Sequence, residues 1–119
     1  MSYDIELVDK DGELFESKNK IQEGGTYVMG GTEKTHLNIT YNYSWFYYLL
    51  INKKYGIRWL YDRKAKDCIK VLENAVDKLG TNISDRCSYW CPTPDNAGYA
   101  LSILLGWAKE FPEGVFKGD

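Results

Sequence analysis

The spacing of apolar residues changes at Tyr41, and that change limits the folds open to this chain. Before it, Tyr3, Ile5 and Leu7 alternate with Asp4 and Glu6, with Val8 on the second face, the period of a half-buried strand. After it, apolar residues recur at intervals of three and four. A stripe of Ala65, Cys68, Ile69, Leu72, Ala75, Val76 and Leu79 reads as one face of an amphipathic helix closed by Gly80. A second stripe, Ala97, Ala100, Leu101, Leu104, Leu105 and Ala108, follows Thr93 as cap and Pro94 at the first helical position, and stops before Pro112. Gly106 inside that helix costs about 1 kcal/mol relative to Ala, so close packing against another backbone is expected there.

The remaining elements follow from turn chemistry. Asp9 to Gly12 reads as a turn and Glu13 to Glu16 as a return strand, making an N-terminal hairpin. Gly24-Gly25-Thr26 and Gly30-Gly31-Thr32 bracket a short strand at Tyr27 to Met29, and Thr35 to Thr40 reads as another. Asn42 or Ser44 is the expected cap of a helix through Trp45 to Ile51, ended by Gly56. That helix is apolar nearly all round, so it is either central or carries an exposed face for a partner. Residues 57–61 read as an irregular or extended link, Asp62 as the cap of the following helix, and Val115 and Phe116 as a tail tucked onto the body. The fold class is α+β: one domain over 1–119, a small N-terminal antiparallel sheet (a hairpin plus one or two short strands) packed with three helices.

Charge is unevenly distributed. Fifteen basic and seventeen acidic residues give a net −2. Lys53, Lys54, Arg58, Arg63, Lys64, Lys66 and Lys70 stand against only Asp62 and Asp67 between 53 and 70, a local +5 in an otherwise acidic chain. The overall balance argues against a general nucleic-acid binder. Aromatics are abundant, with ten Tyr, four Trp and four Phe, and a domain this small cannot bury all of them. Cations and flat rings meet in Lys53, Lys54, Tyr55, Arg58, Trp59, Tyr61, Arg63 and Lys64, which are the candidate binding residues. They suit nucleotide bases and phosphates, and an acidic protein surface equally. The plainer reading is a solvated helix start beside core aromatics. Arg63 and Lys64 oppose the dipole of a helix starting near Asp62, which favours a functional reason for them.

Other motifs carry little chemistry. Asp9-Lys10-Asp11-Gly12-Glu13 lacks the length and flanking helices of a calcium loop. The glycine pairs lack the Lys-Ser/Thr of a P-loop. Cys68, Cys87, Cys91 and His36 formally match a zinc set, and Cys87 or Cys91 with His36 a nucleophile and base, but nothing in the spacing joins them. No catalytic residue, metal or cofactor is assigned. The opening Met-Ser-Tyr-Asp-Ile-Glu has no basic or apolar leader, and no run approaches a membrane span. The expectation is a cytoplasmic protein with all three cysteines as thiols.

The YDIEL opening, Gly24-Gly25-Thr26-Tyr27, the segment Asn38-Ile39-Thr40-Tyr41-Asn42-Tyr43-Ser44, the link Gly56-Ile57-Arg58 with Tyr61, and the ending from Asp95-Asn96-Ala97 to the Pro112–Asp119 motif resemble a family of small uncharacterised phage and prophage proteins. The resemblance spans most of the chain and brings no activity with it. It implies a phage or mobile-element protein acting in the host cell, with a host protein or ribonucleoprotein as partner. The preferred form is an inhibitor of a host defence complex, of the anti-CRISPR type, working by occlusion. The acidic hairpin (Asp4, Glu6, Asp9, Asp11, Glu13, Glu16) would serve as nucleic-acid mimic. The alternative is a binder of a nucleotide or other anionic small molecule through the basic-aromatic segment.

Overall fold

A computed structural model describes residues 2–17, 34–82 and 91–119, together with the backbone of 26–28. The glycine turns at 24–25 and 30–31, and Cys87 with the loop around it, lie outside the described residues. The fold is α+β, an antiparallel sheet with three α-helices. Strands β1 (Ser2–Val8), β2 (Thr26–Val28), β3 (His36–Thr40) and β4 (Val115–Gly118) lie in the order β2-β3-β1-β4. Helices α1 (Ser44–Leu50), α2 (Ala65–Leu79) and α3 (Pro94–Glu110) complete the core.

The alternation in β1 does what its period requires. Tyr3, Ile5 and Leu7 are buried, with Leu37 and Ile39 of β3 and Phe116 of β4 in the same cluster. The expected return strand at Glu13 to Glu16 does not form. That segment makes only isolated bridges, Val8 with Leu14 and Glu16 with Lys34. The reason is that a strand has two hydrogen-bonding edges, and β3 and β4 take both edges of β1. Thr35 holds the segment instead: its Oγ1 accepts from Phe15 N and donates to Leu7 O. Phe15 then stacks on Phe111 at 4.3 Å, where α3 ends.

The tail does tuck Phe116 into the core, and it does so as a strand that reaches further than the sheet. Residues 112–116 run against 62–66. Asp62 N donates to Phe116 O at 2.8 Å, Phe116 N to Arg63 O at 3.1 Å, Ala65 N to Gly114 O at 2.7 Å and Lys66 N to Pro112 O at 3.0 Å. This ladder corrects the expected cap of α2. Asp62 sits before the helix in the left-handed region (φ 67), and the cap position is Lys64, with no side-chain bond. The first amides of α2 need no capping side chain, because the carbonyls of Gly114 and Pro112 satisfy them.

The other caps follow the same economy of donors. Thr40 Oγ1, not Asn42 or Ser44, accepts from Asn42 N and starts a 3₁₀ turn, Tyr41–Tyr43, that leads into α1. Asn38 donates from Nδ2 to Ser2 Oγ and Asp4 Oδ1, both at 2.6 Å. At α3 the expected device is present: Thr93 Oγ1 accepts from Asn96 N and Pro94 opens the helix.

Helices α2 and α3 turn the stripes read from their spacing to the core, with Ile69, Val76 and Leu105 half-buried at its margin and Trp107 and Ile103 added from α3. The close approach is at Gly98, where a Cβ would overlap Gly80 O and Leu79 Cβ. Gly106 is exposed and meets nothing, so the expected packing role there is wrong. Cys91 is disulfide-bonded, contrary to the expected thiol, whereas Cys68 is free and buried. Among the described residues no helix is long and apolar enough to cross a membrane.

Two glycines on one helix should thus respond oppositely to alanine. Gly106→Ala should raise the free energy of unfolding by up to about 1 kcal/mol. Gly98→Ala should lower it by about 1–3 kcal/mol. Urea denaturation of both variants measures the contrast.

Candidate functional site

The segment that follows α1 is built by hydrogen bonds from its own residues. Asn52 Oδ1 accepts from Lys54 N and Tyr55 N, which folds the turn back, and Gly56 (φ 59) redirects the chain. The expected irregular link is a 3₁₀ turn, Gly56–Leu60. Ile57 and Leu60, three apart and so eclipsed on such a turn, are both fully buried. Arg58 and Trp59 are left half-buried on the outer side.

The eight candidate binding residues do not form one surface. Lys53, Lys54 and Tyr55 are exposed in the turn, with Lys54 Nζ 5.2 Å from the Tyr55 ring. Arg58 lies among tyrosines. Its Nη2 donates to Tyr41 Oη at 3.1 Å and its Nε to Asp119 O at 3.0 Å, and its Cζ is 4.9 Å from the Tyr3 ring centre. Tyr61 packs against the Gly118 backbone, and its buried hydroxyl has no hydrogen-bond partner among the described residues. Arg63 stacks on Trp59 at 3.9 Å and donates from Nε to Trp59 O. Lys64 pairs with Glu113 at 3.4 Å, and Lys66 with the same carboxylate at 3.3 Å.

Arg63 and Lys64 also have structural roles. Their backbone carries the ladder to the C-terminal strand. Glu113 lies beside the start of α2, so its charge offsets the cations that oppose the dipole. Bonds from Lys66 and Lys64 hold the Glu113 carboxyl below its ordinary pKa.

Two further features lie outside the eight candidate residues or only partly among them. The first is the outer face of α1. Its one fully buried residue is Tyr47, whose hydroxyl donates to Ala97 O at 3.0 Å and ties α1 to α3. Trp45 (68% exposed), Leu49 (56%) and Tyr48 (37%) face solvent, with Tyr55 (52%) in the next turn. The apolar all-round helix therefore carries an exposed face. A sequence signal for it existed: Lys34 to Tyr61 contains no Asp or Glu.

The second feature is a cleft of about 250 Å³ lined by Tyr3, Tyr41, Ser44, Tyr48 and Arg58. Tyr3 Oη and Ser44 Oγ hydrogen-bond at 2.6 Å, and Tyr3 meets Tyr41 edge-on at 4.6 Å. Burial opposes the charge on Arg58, but the bond to Tyr41 and the nearby tyrosine oxygens outweigh it and raise its pKa.

His36 stands on β3 opposite Glu6, and Cys68 is enclosed in α2. Among the described residues no three His, Cys, Asp or Glu side chains gather as a metal site. The acidic arm keeps its expected turn, Gly12 N donating to Asp9 O at 3.0 Å, but returns by an isolated bridge rather than a strand. Asp9 Oδ1 accepts from Asp11 N and Glu13 N within its own turn, Asp4 holds Asn38, and Glu16 pairs with Lys34 at 2.9 Å.

No family model matches the chain, and neither a curated protein nor a solved structure matches it.

The buried titratable groups predict a pH response. Burial pushes the Cys68 thiol up to about 11 from 9.0, and raises Tyr3, Tyr47 and Tyr61 above 10.0. The folded state keeps these protons while the unfolded chain releases them, so stability falls once pH passes the unfolded values. The urea midpoint should hold steady up to about pH 9 and decline above it. A midpoint that rises between pH 9 and 10.5 would contradict the burial of these groups.

Proposed function

We propose that this chain is a non-enzymatic interaction protein that docks an acidic surface of a partner protein through the outer face of α1 and the turn after it. The observation that carries this reading is the exposure of Trp45, Tyr48, Leu49 and Tyr55 on one short stretch of chain. Exposed rings and a leucine together mark a binding surface rather than scattered apolar residues. The partner's chemistry follows from charge. Lys53, Lys54 and Arg58 border this face, and the stretch from Lys34 to Tyr61 has no carboxylate side chain of its own. A complementary partner presents carboxylates around an apolar centre.

The finer form of the proposal is a phage or mobile-element inhibitor that acts in the host cytoplasm by covering the working surface of a defence complex, a protein or ribonucleoprotein. Its support is the resemblance carried by the Asn38–Ser44 segment and the C-terminal motif, together with small size. In this form the occluding surface is α1, not the acidic arm, whose carboxylates Asp4, Asp9 and Glu16 hold local structure.

The test uses a partner identified by mass spectrometry from host lysate and then purified. Trp45→Glu and Leu49→Lys should each weaken binding about tenfold or more while leaving the melting temperature unchanged. Lys53→Glu with Lys54→Glu should slow association and flatten its salt dependence. A purified partner that binds the Trp45→Glu variant as tightly as the parent chain excludes α1 as the interface.

A further inference from the structure

The geometry points to the cleft beside Arg58 as a binding site for a nucleoside monophosphate. Its lining is unusual in composition: three phenol groups, one serine hydroxyl and one guanidinium, with no carboxylate. Such a wall repels nothing in an anion and offers donors from several directions.

Arg58 is held as a preformed donor. Its Nε and Nη2 are each anchored by an oxygen, and Tyr3 and Tyr41 lie 4.9 and 5.7 Å from its Cζ. A guanidinium carries five N–H donors in a rigid fork, so others remain for a ligand. Fixing the fork in advance lowers the ordering cost of binding. Among the described residues no side-chain carboxylate forms an ion pair with Arg58. The nearby acids are engaged elsewhere, since Asp119 Oδ1 accepts from Asp4 N, and Asp4 Oδ1 from Asn38.

The hydroxyl pair supplies the second donor. Tyr3 and Ser44 carry two protons and spend one on the bond between them, leaving the other for a phosphate oxygen. Burial keeps Tyr3 protonated at neutral pH, in support of that role. The third element is Tyr48, on the rim and part-exposed, with Gly56 lying against its ring. A volume of about 250 Å³ is smaller than a site enclosing a whole drug-sized ligand. Phosphate and sugar therefore enter the cleft, and the base lies over Tyr48 at its mouth.

Of the residues expected to bind a nucleotide, Arg58, Trp59, Tyr61, Arg63 and Lys64, only Arg58 lines this cleft, which shares Tyr48 and Arg58 with the docking face but not Trp45 or Leu49. The test is titration of the full chain with AMP, inorganic phosphate and adenosine, followed by amide NMR shifts and calorimetry at low salt. Saturable AMP binding is expected with Kd below about 1 mM, with shifts centred on Tyr3, Tyr41, Ser44, Tyr48 and Arg58. Phosphate should bind about tenfold more weakly and adenosine weaker still. Arg58→Gln should weaken AMP about tenfold or more, and Ser44→Ala and Tyr48→Ala several-fold each. Trp45→Glu should leave AMP binding unchanged, which separates this site from the docking face. No saturation by about 10 mM AMP would overturn the proposal. So would adenosine binding as well as AMP, phosphate binding as tightly as AMP, or full AMP affinity in both Ser44→Ala and Tyr48→Ala.

Discussion

The backbone ladder between residues 62–66 and 112–116 is the constraint on which the other elements depend. It joins the last strand to the start of α2, and the same strand continues onto the free edge of β1. Four parts of the chain are closed against one another by these bonds: β1, the Gly56–Leu60 turn, the entry to α2 and the exit from α3. Buried amides must find partners, and here the C-terminal carbonyls meet the need that a capping side chain meets elsewhere. A second consequence is that the N-terminal hairpin is displaced. Once β4 holds the edge of β1, the residues after Gly12 are held by Thr35 and by the Phe15–Phe111 stack.

The ladder also divides the basic-aromatic segment by function. Tyr61, Arg63 and Lys64 make contacts within the fold: against Gly118, on Trp59 and with Glu113. Residues before it keep side chains directed outward or into the tyrosine cleft. Arg58 stands at the border, its guanidinium joined to Tyr41 and Asp119 while its turn neighbours Ile57 and Leu60 are fully buried. Tyr47 makes the corresponding division within α1. By anchoring to Ala97 O it turns Trp45, Tyr48 and Leu49 to the outside. One buried phenol thus decides which rings of an almost wholly apolar helix meet solvent.

Much of the fold was legible because it rests on local regularities. The period of two in β1, the three-and-four stripes of α2 and α3, and Thr93-Pro94 as a helix start all reappear in the structure. Two misreadings share a cause. Asp62 as cap and Glu13 to Glu16 as strand were inferred from near neighbours in the chain, but distant residues decided both. The candidate site was half legible for the same reason. Arg58, Lys53, Lys54 and Tyr55 stood out by composition, whereas Tyr3 and Ser44, separated by 41 positions, became partners only through folding.

By itself, the sequence determined the class of fold, the faces that β1, α2 and α3 bury, and a chain asymmetric in charge with more rings than its core can hold. Those properties follow from periodicity and composition, which act over a few residues. The tertiary structure decided the order of strands, the route by which α2 is capped, which face of α1 is open, and the gathering of Tyr3, Tyr41, Ser44, Tyr48 and Arg58 around one cleft. Each of these depends on competition for hydrogen-bonding edges and buried volume between segments far apart in the chain, and no local pattern records who wins it.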